Sequence, residues 1–156
     1  MWTLDQEALV VRWGEMAKHR QLAHAHAQEC LDRYNRMMGV PSIVLQAIIA
    51  TLAFSSIGVS NFSVFMQAVQ GTLMVLSASL SAAYQFLDYG KLSEKHKYAT
   101  DQYQALRVSI EAQMALDAEG RQVAKDFILG VKAKLVSYRT QFPYISSSAE
   151  DETDVV

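Results

Sequence analysis

The side chains best able to hold a metal ion are four histidines, at positions 19, 24, 26 and 96, and a single cysteine, Cys30. His26 and Cys30 stand one helical turn apart, the spacing that two ligands on one helix require. Two ligands do not complete a site, and no second His, Cys or carboxylate cluster lies near them in sequence. The pattern therefore reads as a heptad helix carrying polar residues, and no metal or other cofactor is expected. Cys30 lies close to Arg33 but in mid-helix, which gives little reason for an activated thiolate. One cysteine permits no internal disulfide and suits a reducing compartment. His96 falls between Leu92 and Ala99 in an apolar repeat, at an interface position. Buried and neutral it needs a hydrogen-bond partner, whereas protonated it would loosen the helix packing, so a packing histidine and a pH sensor are both open. There is no Gly-rich phosphate loop, no serine in a nucleophile turn and no pair of carboxylates in an apolar setting. No basic surface interleaved with aromatics suggests nucleic acid. An enzyme is not expected.

Polar chemistry of another kind lies in a long apolar stretch. Gln70, Ser77, Ser81 and Tyr84 fall on one helical stripe, at steps of seven, four and three, and Asp88 continues it. Ser42, Gln46, Ala53 and Ser56 form a comparable face. Beside the stripe, Gly71, Ala78, Ser79, Ala82 and Ala83 supply the small side chains that let helices approach closely in lipid. Such a stripe lines a water-filled path when several copies turn it inward, or acts as dry glue between helices. The residues leave these two readings level.

The element that must position these groups is defined by charge segregation. The chain has 156 residues with a net charge of −2, yet between Arg36 and Asp88 there is no Asp, Glu, Lys, Arg or His. The block from Met37 to Leu87 holds 51 residues, and one bilayer crossing takes about 20 apolar residues in a helix. Two crossings and a tight turn fit, whereas a single soluble helix of that length would be far outside the usual range. The expected fold is an all-α membrane protein: a two-span transmembrane helical hairpin with long cytoplasmic heptad helices before and after it. Its parts are an N-terminal helix over 5–36, a first span over 37–57 and an outer turn over 58–61. A second span over 62–87, a stalk helix over 88–116, a further helix over 117–142 and an acidic, disordered tail over 143–156 follow. Pro41 falls in the first turn of the first span, predicting either a kink or a fresh helix start after a break near Gly39. The apolar run begins too far into the chain for a signal peptide.

Lys18, Arg20, Arg33 and Arg36 precede the first span, Lys91, Lys95, Lys97 and Arg107 follow the second, and the turn carries no positive charge. Both termini are therefore expected in the cytoplasm, in a plasma or inner membrane. The sequon Asn61-Phe62-Ser63 lies too close to the membrane to be read as more than chance. Before the first span, Leu9, Trp13, Met16, Arg20, Ala23, Ala27, Cys30, Tyr34 and Met37 alternate steps of four and three, a heptad seam in which Arg20 is the exception. Leu92, His96, Ala99, Tyr103, Leu106 and Ile110 repeat it after the second span. Asp117-Ala118-Glu119-Gly120 interrupts, and Ala124, Ile128, Val131, Leu135 and Tyr138 resume in a new frame until Phe142-Pro143.

Several of these residues resemble the SLATT domain, a two-span effector domain of nucleotide-linked defence systems. They are the helix around Trp13, His19, Ala23, Ala27 and Tyr34-Asn35, the run Val40-Pro41-Ser42-Ile43-Val44-Leu45, and Gln85-Phe86-Leu87. Lys91-Leu92-Ser93-Glu94-Lys95-His96 with Tyr103 and Leu106 completes the likeness, which covers roughly residues 10 to 116. The resemblance implies a pore that compromises the cell after infection is sensed, and a cytoplasmic sensor or nucleotide-signalling protein as partner. The resulting expectation is a homo-oligomeric pore or ion channel in membrane lipid, with Gln70, Ser77, Ser81, Tyr84 and Asp88 lining it. The alternative is a non-conducting scaffold or anchor that oligomerises and recruits a cytoplasmic partner.

Overall fold

The computed structural model describes residues 2–56, 64–117 and 119–145, and all its regular structure is helical. The four helices are α1 (Leu4–Ser56), α2 (Val64–Leu87), α3 (Tyr89–Ala115) and α4 (Ala124–Gln141). Two of them contain stretches long and apolar enough to cross a membrane. The expected outer turn, the sequon, Ala118, the side chain of Ser56 and the acidic tail beyond Ile145 lie outside the described residues.

α1 begins with a reciprocal cap. The Gln6 backbone N–H donates to Thr3 Oγ1 at 3.3 Å, and the Thr3 N–H donates to Gln6 Oε1 at 3.1 Å, which satisfies donors that the first turn leaves unpaired. The helix then runs through Gly39 and Pro41 without interruption, so of the two alternatives at Pro41 it is the continuous helix, not a fresh start after a break near Gly39. A proline removes one intrahelical hydrogen bond, whereas a break in so apolar a stretch would leave several backbone groups unpaired. The break comes instead at Asp88, the single described non-glycine residue with positive φ, at 42°. Aspartate tolerates this left-handed conformation better than most residues. The Asp88 N–H still reaches Tyr84 O at 3.2 Å, closing α2 before α3 starts.

The chain forms two compact units: one is Cys30–Lys91, the other everything up to Glu29 together with everything from Leu92 onward. In the second of these, α1, α3 and α4 share a core of Val10, Ala17, Tyr103, Leu106, Ile110, Phe127, Val131 and Tyr138. α3 runs antiparallel to α1, with Gly14 opposite Ile110 and His24 opposite His96. The α3 face is the predicted one, except that Ser93 is buried where Leu92 is exposed. The α1 face is the predicted one only in part: Ala23 is buried and Trp13 packs against the core, but Leu9, Met16, Arg20, Cys30, Tyr34 and Met37 are exposed, while Val10, Gly14, Ala17 and His24, each one residue after a predicted position, point inward. Gly14 explains the shift: a Cβ there would lie 3.4 Å from Ile110 Cγ2, so the close approach of the helices selects the face that carries Gly14 and Ala17.

α4 starts at Ala124, later than the expected 117, after a turn in which Gly120 N–H donates to Asp117 O at 2.9 Å. It stops at Phe142, whose extended backbone (φ −91°, ψ 151°) is the conformation that Pro143 imposes on its predecessor. Arg121, in the connection, donates to Leu116 O at 2.8 Å and Met114 O at 3.1 Å and pairs with Glu7. One side chain thus satisfies the end of α3 and ties it to the first turn of α1.

Candidate functional site

In the unit Cys30–Lys91, the second half of α1 and α2 make antiparallel contacts along the polar faces read from the sequence. Gly39 lies against the Tyr84 ring, where a Cβ would be 3.4 Å from Tyr84 Cε2. One turn further, Ser42 Oγ and Ser81 Oγ share a hydrogen bond at 3.0 Å, and Gln46 Nε2 donates to Ser81 Oγ at 2.8 Å. Ser42, Ile49 and Ser77 are buried, and Gln70 is half-buried on the same side of α2. Three of the candidate lining residues, Ser77, Ser81 and Tyr84, are thus engaged within one chain. Gly39 permits the approach, and the hydroxyls and amide then satisfy one another.

The opposite side of α2 is open. Gly71, Ala78, Ser79, Ala82 and Ala83 are all exposed, and a Cβ on Gly71 would meet nothing within 4 Å. Four exposed hydroxyls of the two helices are nevertheless satisfied. Thr51, Ser55, Thr72 and Ser79 each donate to the carbonyl four residues earlier, at 2.9 Å. Hydroxyls returned to their own helix in this way need no water, which suits them to hydrocarbon.

Asp88 belongs to a different feature. It lines an open-mouthed recess of about 350 Å³ together with Asn35, Tyr84, Gln85, Gly90 and Lys91, and its Oδ2 lies 2.6 Å from Lys91 Nζ.

In the other unit, His96 meets His24. Their Nδ1 atoms are 2.9 Å apart, both rings are buried, and either histidine can be the donor while its partner accepts. Tyr103 stacks on His24 with ring centroids 5.7 Å apart, and Phe142 presents its edge at 6.1 Å. Burial pushes the His24 pKa down to about 4, with smaller contributions from His96 and Arg20, and burial lowers that of His96. Both imidazoles are therefore neutral at ordinary pH. Burial likewise raises the Tyr103 and Tyr138 hydroxyls above their usual value. His24 was missed as a partner because it lies outside the seam frame read for α1. Arg121 left no periodic signal, whereas Thr3 and Gln6 carry the capping-box spacing that would have marked the helix start. Among the described residues, no group of three or more His, Cys, Asp or Glu gathers to hold a metal ion.

No family model matches the chain, and neither the curated proteins nor the solved structures provide a match.

Proposed function

We propose that the chain is a two-span integral-membrane scaffold, with both termini cytoplasmic, that assembles as a homo-oligomer through the outer face of α2. Its helical unit of α1, α3 and α4 is then available to a cytoplasmic partner. The observation that carries this reading is the Ser42–Ser81–Gln46 cluster. It uses the polar stripe inside one protomer and leaves Gly71, Ala78 and Ala82 outward, where a second copy can pack closely. The transmembrane hairpin follows from the uncharged block, and the orientation from the Lys and Arg residues that flank it. In a Cys30→Ser background, Ala82→Cys is expected to cross-link between copies in membranes and Ser77→Cys is not. Extraction by alkaline carbonate, or equal cross-linking at both positions, would refute the proposal.

A second reading is the homo-oligomeric pore, an effector of a defence or cell-death response. It is supported by the SLATT-like residues and by the polar groups on the spans. It requires the α1–α2 pair to open so that Gln70, Ser77 and Ser81 meet water. Current across planar bilayers tests it: Ser77→Leu or Gln70→Leu should lower conductance more than a change at Val75, which is exposed on the outer side. Absence of current from well-folded oligomers removes this reading and leaves the scaffold.

A further inference from the structure

The recess at the α2–α3 junction combines features that the packing of the spans does not need. It is walled by Asn35 of α1, Tyr84 and Gln85 of α2, Asp88 at the junction, and Gly90 and Lys91 of α3. Its volume of about 350 Å³ lies at the small end of ligand pockets, which run from roughly 300 to 1,000 Å³. It opens where the uncharged block ends, at Leu87. Nearby, Tyr34 and Tyr89 stack with ring centroids 5.9 Å apart, the amphipathic aromatic pairing favoured at headgroup depth.

Its charge is dipolar. The Asp88 carboxylate and the Lys91 ammonium sit side by side at 2.6 Å, and both side chains remain open to solvent. The left-handed backbone at Asp88 holds the carboxylate at the break between two helices, and conformations of that kind concentrate at functional sites. Asn35 and Gln85 add carboxamides that can donate two N–H bonds each, and Tyr84 adds a hydroxyl. The complement of such a site is itself dipolar: a phosphate for Lys91 and the amides, joined by a short tether to a primary ammonium for Asp88. A phosphate without the ammonium would meet the Asp88 charge, and a quaternary ammonium has no N–H to donate to it.

We infer that the Asn35–Tyr84–Asp88–Lys91 recess binds phosphoethanolamine, as the headgroup of a membrane phospholipid. The location at headgroup depth rests on the two-span reading given above, whereas the chemical complementarity does not.

The test uses the full chain purified in detergent and supplied with phosphatidylethanolamine, phosphatidylcholine or phosphatidylglycerol, with retained lipid counted by native mass spectrometry. The wild type should retain phosphatidylethanolamine about tenfold better than phosphatidylcholine, the gain expected of one charge-assisted hydrogen bond. Asparagine also accepts the left-handed conformation, so Asp88→Asn keeps the backbone. It should abolish that preference and raise retention of phosphatidylglycerol. Lys91→Gln should weaken retention of both phosphatidylethanolamine and phosphatidylglycerol. Equal retention of phosphatidylethanolamine and phosphatidylcholine by the wild type, or a preference that survives Asp88→Asn, would overturn the inference. Soluble phosphoethanolamine distinguishes the sources. If it displaces the lipid, the free headgroup is sufficient. If it does not, while the lipid preference holds, the tethered form is the ligand, and either result supports the shared chemistry. A failure of the two-span reading shows separately, as protein that stays in solution without detergent. In that case binding of soluble phosphoethanolamine by the wild type and not by Asp88→Asn upholds the recess, and absence of binding overturns it.

Discussion

Acidification should unfasten α1 from α3 at the His24–His96 pair. The two Nδ1 atoms are 2.9 Å apart, so one proton can lie between them. A second proton would set two N–H donors head to head. Arg20 on α1, Tyr103 on α3 and Phe142 after α4 face the pair, with Tyr138 behind Tyr103, and none of these is a carboxylate that could stabilise an imidazolium. The His24 pKa falls from 6.5 in the unfolded chain to about 4 in the folded one. Because the folded value is the lower, the unfolded state takes up the proton first as pH drops. The stabilisation is complete above pH 6.5, declines between 6.5 and about 4, and is lost below that. At 1.36 kcal/mol per pH unit the interval corresponds to about 3 kcal/mol, and His96 acts in the same direction. Both tryptophans, Trp2 and Trp13, pack against the core of this unit, so their fluorescence during urea unfolding reports on it without interference from the uncharged block, which holds no tryptophan. The wild type should lose that stability between pH 6.5 and 4. The His24→Leu/His96→Leu double variant, which titrates its carboxylates identically, should show a shallower decline. Parallel pH profiles for the two proteins would refute the reasoning.

Three further outcomes follow from the packing. Gly14→Leu forces a side chain into the 3.4 Å approach to Ile110 and should destabilise the same unit by about 1–3 kcal/mol, read by the same tryptophan signal; an unchanged midpoint would mean that α1 and α3 are further apart. Arg121→Ala removes the bonds to Leu116 O and Met114 O and the pair with Glu7, and should cost about 1–3 kcal/mol, with amide exchange rising in the last turn of α3 and the first turn of α1. Ser81→Ala removes the partner shared by Ser42 and Gln46 and should weaken α1–α2 association by about 0.6–2 kcal/mol, measured as lower resistance to denaturing detergent. Ser79→Ala, whose hydroxyl bonds its own helix at Val75 O, should leave that resistance unchanged.

Much of the helical layout was legible because it depends on local chemistry. The absence of charge from Met37 to Leu87 marks a stretch that is stable away from water only as helix. Phe142-Pro143 stops α4 through the backbone restriction that proline places on its neighbour. The α3 face was legible as well, since His96, Ala99, Tyr103, Leu106 and Ile110 form an unbroken heptad row. The polar stripe of α2 was visible, but its destination was not. Hydroxyl and amide groups on one face are equally suited to a second helix of the same chain and to an aqueous path. The Gly39–Tyr84 contact, between residues 45 positions apart, brings the first of these about.

What the sequence determined by itself is therefore the helical character of these segments, the uncharged block and the positions that share a face, because each is a property of one segment and its period. Tertiary structure decided which of two adjacent faces of α1 is buried, because that depends on how closely Gly14 and Ala17 let α3 approach. It also decided that His24 is the partner of His96, that Arg121 caps α3, and that Ser42, Ser81 and Gln46 satisfy one another. Each of these joins residues distant in the chain, and hydrogen-bond geometry and steric fit between two helices cannot be read from the period of either one.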